Sequence, residues 1–474
     1  MPETPRSGTL LLTLGMVKTW GPSRRPYAWL ASLICTTRLA MAGWGVPFNF
    51  ELRWMFLADS TDLTDRLAQT VWNFHAFPPG MNVLTGLLLK FSPDHAATWA
   101  HLLFIAFGFL LTFSTYSVAT ALALSPRVSF FIAAVLSVSP PALYFENLYL
   151  YEYPAAALAM ATLAAALHAA SSKASWPWFA AFGTAAVLVW LRSAFHLVWF
   201  AAFVAWAIAR APLDKRRIAL AAALPAAVLA SSLYVKNAML FGVFASTSWG
   251  GANLTAITTA TLSPDERQAA IDEGHLSPLA NISAFAGPED YLPHVDPRGA
   301  QAWPKLSAKN FNHWAFLEAN PRRAKDVRYF LETWPERYVA NVFTKSLPQF
   351  FSATTRWHPR DAHERGPHTE IRRLLGPWEA TWNAFFHAVP VAPVGLYLLL
   401  PLFVLGAGVH LVKKPRAWAS LEGFLFVQCA YVIAVSVAVT YGECARYRFL
   451  IEPLIWLVAA KVIQDLARAA YGRR

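Results

Sequence analysis

Charge is what this sequence has least of. Only 14% of its 474 residues are Asp, Glu, Lys or Arg, where soluble domains carry about a quarter. That shortage excludes a chain surrounded by water on every side. Cysteine is almost missing. Cys35, Cys429 and Cys444 each sit in or beside an apolar block, so neither a disulfide framework nor a zinc motif follows. Acids are fewer than bases, 28 against 40. The resulting +12 charge reads as membrane topology, and nothing points to a nucleic-acid domain. TLLLTLGMV near the start is a short apolar run with no A-x-A site after it, so no cleavable signal peptide is expected.

What is abundant is apolar sequence, 56% of the chain. It gathers into blocks long enough to cross about 30 Å of hydrocarbon. The expected class is an all-α polytopic membrane protein. Ten spans are predicted, roughly at 27–46, 98–123, 128–141, 153–170, 176–191, 194–209, 216–236, 390–412, 419–441 and 447–466. Basic residues orient them. Lys18, Arg24, Arg25, Arg127, Lys173, Arg210, Lys215, Arg216, Arg217, Lys413, Lys414, Arg416, Arg468, Arg473 and Arg474 all fall on one side if both termini are cytoplasmic. MNVLTGLLLKF (81–91) is too short for a span and reads as an amphipathic or half-buried helix on the outer side.

This topology divides the chain into three parts. An N-terminal transmembrane module with outer loops covers 1–236. A mainly helical extracytoplasmic insertion covers 237–389, and a C-terminal transmembrane module covers 390–474. The insertion has no G-x-S-x-G, H-E-x-x-H or Walker motif. Within it, Ser263 and Glu266 have capping-box spacing.

The outer face collects the acidic, aromatic and histidine residues found at membrane boundaries. Ionisable groups at that depth are costly and are read first as functional. The first outer loop brings Asp59, Asp62, Asp65 and His75. The acids read equally as solvated loop residues, and Asp59 or Asp62 also as a helix cap. His75, before Pro78-Pro79, reads either as a packed loop histidine or as a substrate contact. In YFENLYLYEYP, an interfacial belt accounts for Tyr144, Tyr149, Tyr151 and Tyr153, with Tyr149 and Tyr151 also placed to touch substrate. It leaves Glu146 unexplained, and that acid is read as functional. Arg192 and His196 form either a polar turn or a phosphate contact, since arginine offers a planar fork of donors. In YGECARYRFLIEPL, Glu443, Arg446 and Arg448 form either a structural ion cluster or an anion site. The anion site is favoured because paired arginines at the bilayer edge suit a lipid phosphate.

HAFPPGMN, SPPALYFENLYLYEYP, LRSAFHLVW, SSLYVKN, STSWGGANL and ECARYRFLIEPL, in that order, resemble the GT-C superfamily of integral membrane glycosyltransferases. The nearest group is the bacterial family 39-like one, with protein mannosyltransferases and aminoarabinose transferases. The resemblance implies a GT-C-like bundle in the bacterial inner membrane with its active face outside. It implies hexosyl or pentosyl transfer from a polyprenyl-phosphate-linked donor to an extracytoplasmic glycan, lipid or protein. By the same resemblance Asp62, or less readily Asp59, is the base. Glu146 helps bind acceptor or a divalent cation such as Mg or Mn, and no metal ligands are assigned. The chain departs from the family pattern in having no Asp-Asp or Asp-Glu pair at the start of the first loop, and Glu146-Asn147 where an aspartate is commoner. A flippase of lipid-linked glycan and a non-catalytic envelope scaffold are the alternative readings.

Overall fold

The computed structural model describes residues 24–471 apart from 55, 308–309, 352–366, 387–407, 409–419 and 441. The expected span at 390–412 and the N-terminal apolar run lie outside the described residues, except for residue 408. So do Lys18, the basic run at 413–416, Arg473 and Arg474.

The described residues are mostly helical, and among them there is no strand. An isolated parallel bridge joins Asn49 to Leu148. The first half runs α1 (Arg25–Gly43), α2 (Ser60–Asp65), α3 (Leu67–Asn73), α4 (Gly80–Phe91), α5 (Ala96–Ala121), α6 (Pro126–Ser137), α7 (Pro140–Glu146), α8 (Glu152–Ser171), α9 (Trp176–Leu191), α10 (Leu197–Arg210) and α11 (Arg216–Phe241). Helices at Leu421–Val439 and Glu452–Tyr471 close the bundle, with a short helix at Cys444–Phe449 before the last. The protein is a multi-pass membrane protein. Helical segments at Pro93–Ala121, Glu152–Ser171, Leu213–Phe241 and Leu421–Val439 are each long and apolar enough to cross a membrane. The other expected spans within the described residues are shorter, more charged or less apolar.

The expected third span is broken. α6 and α7 meet at 51°, because Ser139 caps a new helix whose first residue is Pro140. Proline suits that position, since its missing N–H would have no partner there. The short apolar helix expected at 81–91 is α4. It buries Met81, Asn82, Thr85 and Gly86, one face of a helix in spacing. α8 lies against both α5 and α9. Its buried Ala155, Ala156, Ala157 and Ala159 let backbones approach closely, as small residues do between membrane helices.

Residues 237–389 are mainly helical where described, and Ser263 and Glu266 do form the capping box, with both reciprocal bonds present. This segment does not stand apart. Ala58, Leu63, Phe74 and Ala76, between α1 and α4, share one apolar cluster with Trp249, Tyr291, Trp314 and Phe316.

Candidate active site

Among the described residues, buried charged side chains come within 4 Å of one another at two places in the bundle. The first joins α1, α7 and α8. Arg38 donates from Nε to Glu146 Oε1 at 2.7 Å and from Nη2 to Oε2 at 2.6 Å. Tyr153 donates to the same Oε2 at 2.5 Å. Glu146 is fully buried. The space is so tight that a Cβ on Gly108 of α5 would come within 2.5 Å of Glu146 Oε2. The expectation that Glu146 reaches toward acceptor or metal meets a different geometry. A bidentate arginine and a phenol already hold both carboxylate oxygens, which fixes the side chain as a brace between three helices.

The second place gathers residues from far along the chain. Glu152, the first residue of α8, is fully buried. Its Oε1 lies 3.3 Å from Arg192 Nη2 and 3.2 Å from Arg446 Nε. Arg446 Nη2 also meets Glu443 Oε2 at 2.7 Å and donates to Tyr151 Oη at 3.1 Å. The Arg192 guanidinium lies 4.0 Å from the Tyr151 ring centroid and 4.3 Å from that of Tyr447. Such stacking is favourable and strengthens out of water. The two arginines and Glu152 are buried, while the Glu443 side chain keeps 21% exposure.

Arg448 does not join them. It donates to the Phe350 carbonyl at 2.6 Å, and its electrostatic partner is Glu452. The expected pairing of Arg446 with Arg448 therefore fails, for a plain reason. Both arginines lie on one short helix, Cys444–Phe449. Residues two apart on a helix point to nearly opposite sides. Arg192 takes the place beside Arg446 instead.

The segment between α1 and α4 reaches this cluster through Phe56, whose ring packs on Tyr151 at 4.5 Å. Asn82 pins that stretch, accepting from the Ala58 N–H at 2.7 Å and donating to the Phe56 carbonyl at 2.9 Å. Asp59 follows three residues on, so its Cα lies within about 11 Å of that of Phe56. Asp59 is the cap of α2, accepting from the Thr61 N–H at 2.9 Å. Asp62 is half a helix further. Arg66 holds its Oδ1 from Nε at 2.9 Å and Nη2 at 2.6 Å. Asp62 lines a recess of 40 Å³ with Arg66, Gln69, Lys305, Asn310 and Asn312.

PPGMN and LRSAFH also meet. A Cβ on Gly80 would lie 2.7 Å from the Trp190 carbonyl, so α4 begins against the hairpin that carries Arg192. The other expected contacts are committed to structure. His75 is 1% exposed, with Nδ1 at 2.8 Å from Ser248 Oγ and Nε2 at 3.1 Å from the Asn312 carbonyl. Burial lowers its pKa to about 3, so it is a neutral staple between loop and insertion. His196 caps α10, accepting from the Val198 N–H at 3.1 Å. The Tyr149 hydroxyl is 2.9 Å from Thr85 Oγ1.

Sequence reasoning missed Glu152 and Arg38. Both carried the signal that singled out Glu146, an ionisable residue in an apolar setting. The tyrosines around Glu152 masked it. No group of three or more His, Cys, Asp or Glu able to hold a metal ion occurs among the described residues. The described residues therefore do not fit a metal held by protein ligands alone.

No protein-family model matches the sequence, and no curated protein matches it. Solved structures are similar to it in chain path. One is the Archaeoglobus fulgidus oligosaccharyltransferase tethered with an acceptor peptide containing the NVT sequon. It is 11% identical at a TM-score of 0.38, over 96% of this chain and 52% of that one. Another is ArnT from Cupriavidus metallidurans bound to undecaprenyl phosphate, 11% identical at 0.34, over 95% and 80%. Its apo state is 13% identical at 0.32, over 94% and 79%. The chain spans about half the length of the archaeal protein. Likenesses this loose assign no residue here a role.

Proposed function

We propose that this protein is a membrane glycosyltransferase of the GT-C kind. It moves a sugar from a polyprenyl-phosphate-linked donor to an acceptor on the extracytoplasmic face of the bacterial inner membrane. The observation that carries the reading is the convergence of Arg192 and Arg446 on Glu152 beneath two tyrosine rings. Glu152 holds the guanidinium groups side by side, and the protein leaves one edge of the cluster open at Glu443. Two arginines fixed together in a poorly hydrated place suit a phosphate whose charge grows as the glycosidic bond breaks. The departing phosphate would take that charge onto oxygens facing Arg446 and Arg192.

The base in this reading is Asp62. Arg66 engages one of its oxygens, and the residue lines the polar recess, where an acceptor hydroxyl would approach. Asp59 is the alternative, though its oxygen is spent on capping α2. Proton transfer from the attacking hydroxyl requires a carboxylate within hydrogen-bond reach. Glu146 would act through position alone, by holding α7 against α1.

The balance of charge, two arginines against Glu152 and Glu443, favours a second reading in which the cluster is only a structural ion network. Mass spectrometry of envelope glycans and lipid-linked sugars from cells with and without the protein decides whether transfer occurs. Expected is an accumulated lipid-linked sugar and one glycan short of a residue. In the reconstituted reaction Asp62→Asn should cost about a hundredfold or more at normal protein level. Unchanged glycans and lipid-linked sugars would remove the transferase reading.

A further inference from the structure

We propose that the Glu443 carboxylate occupies the anion site itself and must swing out before a lipid-linked phosphate can bind, so that the resting site is closed by its own side chain. The inference rests on the phosphate reading of Arg446 and concerns how that site is controlled.

Among the described residues four charged groups form the cluster: Glu152, Arg192, Arg446 and Glu443. Glu152 lies beneath the two arginines, fully buried and shared between them. Glu443 lies on the open side, where it takes the terminal nitrogen Nη2 of Arg446 at 2.7 Å. Of the four groups it alone retains substantial exposure. The two carboxylates therefore have different jobs. Glu152 cannot leave without stranding two buried cations, which is strongly unfavourable. Glu443 can leave by rotating its side chain into water, where hydration replaces the contact it gives up. The backbone need not move. Gln349 Oε1 accepts from the Gly442 N–H at 2.7 Å, and Glu443 is the residue from which the Cys444–Phe449 helix starts.

The charges also select the ligand. With Glu443 in place the four groups sum to zero. With Glu443 turned out they sum to one positive charge. A phosphodiester brings one negative charge, so exchanging Glu443 for the diester of a lipid-phosphate sugar keeps the buried cluster neutral. The monoester left after transfer carries about −1.5 to −2 near neutral pH, so it would leave the cluster negative. Re-entry of Glu443 would then help expel the product.

The test uses full-length protein in lipid nanodiscs with undecaprenyl phosphate as the probe, read as a dissociation constant by native mass spectrometry. Glu443→Gln removes the competing charge and should bind the probe about tenfold more tightly, the scale of one charged hydrogen bond. Glu443→Asp keeps the charge on a shorter arm and should lie between wild type and Glu443→Gln. It also serves if Glu443→Gln folds poorly. Probe binding that is equal or weaker in both variants than in wild type overturns the gate and leaves the phosphate reading standing. No binding by wild type or by either variant, each with an intact melting transition, overturns the phosphate reading and the gate with it.

Discussion

Arg192 and Arg446, from different halves of the chain, share a single oxygen of Glu152 at 3.3 and 3.2 Å. One buried carboxylate therefore couples the α9–α10 hairpin to the start of the C-terminal helix pair. Removing it strands two guanidinium groups. Glu152→Gln should lower stability by about 3–5 kcal/mol, the cost of breaking a buried pair. Thermal unfolding in detergent measures this. A melting temperature within a degree of wild type would mean the arginines do not depend on Glu152.

Arg446 and Arg448 should respond differently to the same substitution. Arg446→Lys keeps a charge but loses the planar fork that reaches Glu152, Glu443 and Tyr151 together. It should impair donor use and leave acceptor KM alone. Arg448→Lys loses a contact to the Phe350 carbonyl and should show mainly as a lower melting temperature. Steady-state kinetics on both variants separates them. Equal donor defects would place Arg448 in the site as well.

Glu146 and Arg38 should behave as a unit. Glu146→Gln leaves Arg38 buried beside a neutral amide and should destabilise by about 3 kcal/mol. Adding Arg38→Met to the same chain should recover part of that loss, because the uncompensated charge is gone. A double variant less stable than Glu146→Gln alone would argue against the brace.

His75 sets an acid limit. Its folded pKa is lowered to about 3 by burial, while in the unfolded chain it is about 6.5. Below about 6.5 the unfolded state takes up a proton that the folded state refuses. Stability is therefore level above that pH and falls as pH drops toward 3. His75→Asn should flatten this part of the profile in melting curves taken from pH 7.5 to 5. An unchanged slope would mean that other groups set it.

Much of the architecture was legible because apolar blocks of membrane length leave few alternatives. The break at Ser139-Pro140-Pro141 was visible as residues but not as an angle, since a proline pair inside an apolar block reads equally as a helix start. The site was legible only in outline. LRSAFH and ECARYR were recognised as polar edges, but nothing local says that Arg192 lies beside Arg446. That relation depends on how α8 packs between its neighbours. Arg448 was misplaced because the two arginines were paired without applying helical spacing across Cys444–Phe449. On that helix the two-residue spacing alone separates the arginines. His75 and His196 looked chemical because histidine in a loop can be either ligand or staple, and only their partners decide.

Production of the protein on the ribosome meets a problem set by the apolar cluster shared between the segment joining α1 to α4 and residues 249–317. Leu63, Phe74 and Ala76 are synthesised long before Trp249, Trp314 and Phe316 exist to cover them. Until then the segment has no finished core, and its lasting contacts are distant in sequence and slow to form. The window between the two is the time taken to synthesise α4 through α11. The segment is then a natural client for a membrane chaperone, and truncated chains ending before residue 249 should be the forms that quality control removes first.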